Sequence, residues 1–120
     1  MNIFWICLGG VLGVNLRYFI ISLLHNKPVY IFSSTLIANT LGSFLAGLFL
    51  PFCLNYSNVI KYFVMIGFLG SLTTFSSVSV ESLQFFKETR YFYAFMHIFL
   101  NNFLGVLFCF CGYFLSSKLL

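Results

Sequence analysis

Four long apolar runs separated by short polar connections dominate this 120-residue chain. The first extends from Ile3 to Leu24 and ends at His25-Asn26-Lys27-Pro28, and the second runs from Val29 to Leu50, with Pro51 where a helix could finish. The third begins near Val59, after Asn55-Tyr56-Ser57-Asn58, and continues to Phe86. A charged turn, Lys87-Glu88-Thr89-Arg90, separates it from the fourth, Tyr91 to Leu115. A spanning helix takes ~20 apolar residues, so each run is long enough to cross a bilayer and little is left over. Only 7% of positions are charged, where a soluble domain carries about a quarter. Low charge with 61% hydrophobic residues also excludes disorder. The expected fold is all-α and integral to a membrane, a single four-helix domain with no soluble part. Short connections make neighbouring spans antiparallel and put both termini on one side.

The six basic residues, Arg17, Lys27, Lys61, Lys87, Arg90 and Lys118, are scattered rather than clustered, which argues against nucleic acid as a partner. They also fail to fix an orientation by the positive-inside rule. With the N-terminus inside, Lys61 and Lys118 are cytoplasmic while Lys27, Lys87 and Arg90 are external, so the count is nearly balanced. Such a chain can insert both ways, and two copies or two paralogues in opposite directions can pair about a two-fold axis in the membrane plane. The first run lacks a basic leader and a small-residue cleavage site, so it reads as a retained span. Cys7, Cys53, Cys109 and Cys111 lie in or beside apolar stretches without histidine or carboxylate company, and are expected to be small buried hydrophobes.

Unpaired polar groups cost several kcal/mol in hydrocarbon, so the polar residues inside the runs carry the information. In the first span, Gly9 and Gly13 are spaced for close helix approach. Arg17 either snorkels to the interface, faces an aqueous vestibule, or pairs with Glu81, since spans one and three run parallel. In the second, Thr35, Asn39, Gly42 and Ala46 share one helical face, suiting a packing seam or a pore lining. The third reads Gly67-Phe68-Leu69-Gly70-Ser71-Leu72-Thr73-Thr74-Phe75-Ser76-Ser77-Val78-Ser79. This dense hydroxyl run points to a break near Gly70 to Thr74 rather than a bent continuous helix, and a break releases carbonyls for a cation and amides for an anion. In the fourth, Asn101, Gly105, Cys109 and Gly112 follow helical spacing, and both pore lining and packing fit them. An aromatic ring has a positive edge, and Phe75 is placed to present one to a small desolvated anion.

Taken in order, these motifs resemble the CrcB/Fluc family of fluoride channels over essentially the whole chain. They are Gly-Gly-x-x-Gly-x-x-x-Arg-Tyr from Gly9 to Tyr18, Thr-x-x-x-Asn-x-x-Gly-Ser-Phe from Thr35 to Phe44, and Gly-Phe-x-Gly-x-x-Thr-Thr-Phe-Ser from Gly67 to Ser76. The resemblance implies an antiparallel, dual-topology dimer in the bacterial inner membrane with two fluoride pathways and a central sodium ion that is structural, not transported. It further implies that Gly70 and Thr73 give backbone carbonyls to sodium and that Asn39 lines the pore and donates its amide to fluoride. Phe75 would offer a ring edge, Thr74 and Ser76 hydroxyl donors, and Arg17 a vestibule charge, with Glu81 in register. The family pattern places a second Phe three residues after the first, where this chain has Val78. That departure suggests pairing with a paralogous subunit that keeps both rings, as an alternative to a homodimer.

Other classes fit less well. Small multidrug exporters need an acid in the first span, and the only acids here are Glu81 and Glu88. A non-transporting assembly subunit accounts for the small-residue seams but not for the hydroxyl run after Gly70. Catalysis finds no support: there is no Ser/His/Asp arrangement, and His25 and His97 read as span-edge residues without partners.

Overall fold

The first run forms a single helix, α1, over Asn2–Leu24, as expected of a segment with no internal proline and apolar side chains on every face. The computed structural model describes residues 2–24, 33–55 and 58–118, and these are mostly helical, with no strand among them. Ser33 caps the second helix, α2 (Ser34–Asn55), its Oγ accepting from the Leu36 N–H at 3.1 Å. The expected start at Val29 lies outside the described residues. The expected end at Leu50 is corrected, because α2 continues through Pro51. Proline forfeits one bond, to the Gly47 carbonyl, and the turn before it is packed against the last helix, Gly47 on Cys109.

The third run is the irregular one. A short turn, α3 (Asn58–Ile60), leads into a π-helix over Lys61–Leu69 and then a single α-turn, α4 (Gly70–Leu72). Thr73 (φ −86°, ψ 150°) and Thr74 (φ −153°, ψ 124°) are extended. The helix resumes as α5 (Phe75–Lys87), and a tight turn with Thr89 at φ 60° leads to α6 (Tyr91–Ser117). Four segments are long and apolar enough to cross a membrane: Asn2–Leu24, Ser34–Leu54, Asn58–Lys87 and Tyr91–Ser117. The molecule measures 49 × 30 × 20 Å, so its long axis matches a bilayer of about 40–45 Å with headgroups. Phe4, Phe19, Phe92, Phe95, Phe103, Phe110 and Phe114 are all more than half exposed, a surface that suits lipid and not water. The protein is a multi-pass membrane protein.

Two glycine seams hold the bundle together. α1 lies on the π-helix, and a Cβ at Gly9 would run into the Phe63 carbonyl while one at Gly13 would strike the Phe68 carbonyl. α2 lies along α6, where a Cβ at Gly47 would meet the Cys109 carbonyl and one at Gly112 the Phe44 carbonyl. Ile20, Ala38, Leu69 and Leu72 form the small buried core between the pairs. In a membrane, where lipid tails compete with side chains for apolar contact, such backbone proximity is a principal source of helix association. The cysteines depart from expectation. All four are free, Cys7 and Cys111 are exposed, and Cys53 and Cys109 are only half-buried. Glycine occupies the tightest positions, and it is the backbone of Cys109, not its sulfur, that meets Gly47.

This packing predicts a contrast between two glycines. Gly112→Leu forces α2 and α6 apart and lowers stability by about 2 kcal/mol or more, whereas Gly10→Ala, with nothing within 4 Å of the added carbon, is tolerated. Thermal unfolding of the two variants in detergent, against the parent chain, measures the difference.

Candidate functional site

At the end of α4 the backbone changes partners. Thr73 closes the helix by sending its N–H (3.0 Å) and its hydroxyl (2.9 Å) to the Leu69 carbonyl. Thr74 is then taken up by a side chain: its N–H donates to Asn39 Oδ1 at 2.8 Å, and its carbonyl accepts from Asn39 Nδ2 at 3.1 Å. One amide head on α2 thus satisfies both backbone groups of the extended residue, as a neighbouring strand would. The N-terminus of α5 is capped by Thr74 itself, whose Oγ1 accepts from the Ser77 N–H at 3.3 Å.

These exchanges release two carbonyls. In a continuous helix the Gly70 carbonyl would accept from the Thr74 N–H, which is bonded to Asn39 instead. The Thr73 carbonyl would accept from the Ser77 N–H, which goes to the Thr74 hydroxyl. Both residues line a cleft of about 420 Å³ together with Asn39, Thr74, Phe75 and Asn101. Carbonyl oxygens freed at membrane depth and facing a cavity are ligands of the kind a hard cation takes, so Gly70 and Thr73 fit the sodium role that the motifs imply.

Phe75, the first residue of α5, is 73% exposed, and Val78, one turn on and lining the same cleft, is 2% exposed. Thr74 Oγ1 and Ser76 Oγ lie 2.8 Å apart. One of the two hydroxyl hydrogens is spent between them and the other is left for a ligand. Asn39 has less to offer. Its two amide hydrogens are both committed, one to Thr74 and the other to Asn101 Oδ1 at 2.9 Å. For Asn39 to donate to an anion, as the sequence motif suggests, one of these bonds has to open.

Arg17 and Glu81 are not brought together. Arg17 sits half-exposed on α1 and makes no hydrogen bond or ion pair among the described residues. Glu81 is turned toward α2 and α6: Thr35 Oγ1 donates to its Oε1, and His97 Nε2 lies 3.0 Å from its Oε2. The reason is that α5 packs on α6 rather than continuing along α1. His97 is completely buried, which corrects its reading as a span-edge residue without partners. His25 lies outside the described residues. The signal for His97 was present in its spacing, since it extends the Asn101, Gly105, Cys109 and Gly112 stripe by one turn. That stripe divides its work. Cys109 and Gly112 pack on α2, while Asn101 reaches the cleft.

Comparison with known proteins gives a consistent picture. The family described as CrcB-like protein, Camphor Resistance (CrcB), matches residues 4–113. A Staphylococcus saprophyticus protein named fluoride-specific ion channel FluC 2 is 34% identical over 124 residues, covering 99% of both chains. A Desulfotalea psychrophila fluoride-specific ion channel is 37% identical over 123 residues, all of this chain and 95% of that one. One from Campylobacter jejuni is 37% identical over 108 residues and 88% of each chain. With the match running through all four spans and the clasped break, the chain belongs to the CrcB-like family.

Proposed function

We propose that the chain is one subunit of a fluoride-selective channel that lowers cytoplasmic fluoride by passive export. The observation that carries this reading is the clasped break, which sets uncharged donors and freed carbonyls at membrane depth beside an open cleft. The names of its relatives supply the ion, and a pore rather than an enzyme accounts for the absence of a catalytic arrangement in the sequence. In a cell more alkaline than its surroundings, hydrogen fluoride enters, dissociates and accumulates as the anion, and a channel lets it leave down its gradient.

Conduction requires binding that offsets dehydration without trapping the ion. Dipoles suit this better than a fixed cation does. The Thr74–Ser76 hydroxyl pair has one hydrogen to give, and the Phe75 ring edge is positive. Asn39 holds the break open and lines the path, and Arg17 contributes positive charge at the vestibule.

The subunit pairs with an oppositely inserted copy or paralogue, and the partner covers the cleft. Gly70 and Thr73 hold a structural sodium ion, which is not transported and ties the two breaks together. Two carbonyls are too few for a hard cation, which takes several oxygen ligands, so the oppositely inserted subunit adds its own pair. Val78 leaves the cleft with one ring where the family pattern has two, which favours a partner that retains both. The membrane is the bacterial inner membrane.

Three outcomes follow from liposome flux. Asn39→Asp keeps the acceptor for the Thr74 N–H but sets a charged oxygen against the Thr74 carbonyl and Asn101 Oδ1. Two buried bonds at about 1–3 kcal/mol each make the expected loss of fluoride flux on the order of 100-fold, and an unaltered flux rejects the pore assignment. Replacing sodium by a large organic cation slows fluoride flux, measured with a fluoride electrode, while chloride fails to move in either condition. Finally, the purified chain alone conducts poorly if it needs a paralogue, and flux equal to that of a two-Phe relative establishes the homodimer.

A further inference from the structure

Behind the clasp lies a series of polar contacts. Glu81 faces His97, with 3.0 Å between Oε2 and Nε2. The His97 carbonyl, one turn before Asn101, accepts from Asn101 Nδ2 at 2.9 Å. One Nδ2 hydrogen of Asn101 is used there, and its Oδ1, turned toward α2, accepts from Asn39 Nδ2. Asn39 then meets Thr74 with acceptor to N–H and donor to carbonyl. Asn101 is 8% exposed.

We propose that Asn101 is a positioning residue that holds the Asn39 amide on Thr74 and thereby keeps the break in its extended form. An anion entering the cleft competes for the hydrogens of Asn39. One of the two is held by Asn101 Oδ1 and the other by the Thr74 carbonyl, so the amide head cannot turn to an anion without abandoning one of these acceptors. A buried donor or acceptor left without its partner costs about 1–3 kcal/mol, which biases Asn39 toward the clasp. The consequence for flux rests on the channel reading above; the hold on Thr74 does not.

Two substitutions in the full chain separate hydrogen bonding from shape. Asn101→Leu fills the space without an acceptor. Asn101→Asp, when protonated, reproduces both bonds, its carbonyl oxygen accepting from Asn39 and its O–H donating to the His97 carbonyl; when ionised it sets negative charge against that carbonyl. The first readout is hydrogen exchange at the Thr74 amide in detergent, and the second is fluoride flux in liposomes, each relative to the parent chain at the same pH. Asn101→Leu is expected to speed Thr74 exchange by on the order of tenfold and to lower fluoride flux at every pH. Asn101→Asp is expected to approach the parent in both readouts as pH falls and to diverge as pH rises.

Parent-like exchange in Asn101→Leu overturns the proposal, as does an Asn101→Asp variant without pH dependence, since either assigns the position to packing alone. If Asn101→Leu fails to fold, the pH profile of Asn101→Asp decides. If the parent chain itself passes no fluoride, the channel reading fails and the Thr74 exchange still judges Asn101.

Discussion

The two hydrogen bonds between the Asn39 side chain and the Thr74 backbone are the point on which the architecture turns. A membrane interior offers no water to an interrupted helix, so the extended Thr74 needs partners for both of its backbone groups from within the protein. Asn39 provides them in the only way one side chain can, with an acceptor and a donor a fixed distance apart on a rigid planar group. The rest of the bundle serves this contact. The α2–α6 seam sets Asn101 beside Asn39, and the α1–π-helix seam brings Gly70 to the cleft. Thr74, clasped through its backbone, keeps its hydroxyl for the cap of α5.

The glycine seams and the polar clasp solve different parts of one problem. In lipid the hydrophobic effect no longer draws helices together, so approach must come from close backbone contact. Gly9 and Gly13 provide this on one side of the molecule, Gly47 and Gly112 on the other. Close approach by itself is weakly specific along the helix axis, because small residues recur. The Asn39–Asn101 and Asn39–Thr74 bonds fix the axial register, and the Thr35–Glu81–His97 cluster does so about one turn away along α2 and α6.

Much of this was legible because lipid makes polar residues conspicuous. The four spans follow from length and apolarity alone, and Asn39 with the stretch Gly70 to Ser76 stood out as groups that hydrocarbon would reject. What stayed hidden depended on tertiary direction. Nothing in Lys61–Leu69 announces a π-helix, since after Lys61 the segment is almost uniformly apolar and aromatic. A pairing of Glu81 with Arg17 is one of the options that parallel spans allow, but α5 packs on α6 and presents the carboxylate to His97 instead. Pro51 looked like a terminator because propensity was read without the α6 surface that supports the helix past it. The cysteines looked buried because size and apolarity do not say which small residue takes the tightest seam.

The π-helix has a consequence for how this chain tolerates change in length. Nine residues wound with the wider hydrogen-bond spacing carry a stored offset between Lys61 and the cleft. Deleting one residue there would let the segment relax toward ordinary α-geometry and change the rotation accumulated before the cleft. Gly70 and Thr73 would then look away from the cleft although no residue of the site had been touched. Chain length between Lys61 and Leu69 is therefore part of the specification of the site, and a gap falling within those nine positions carries more weight than several substitutions at its rim.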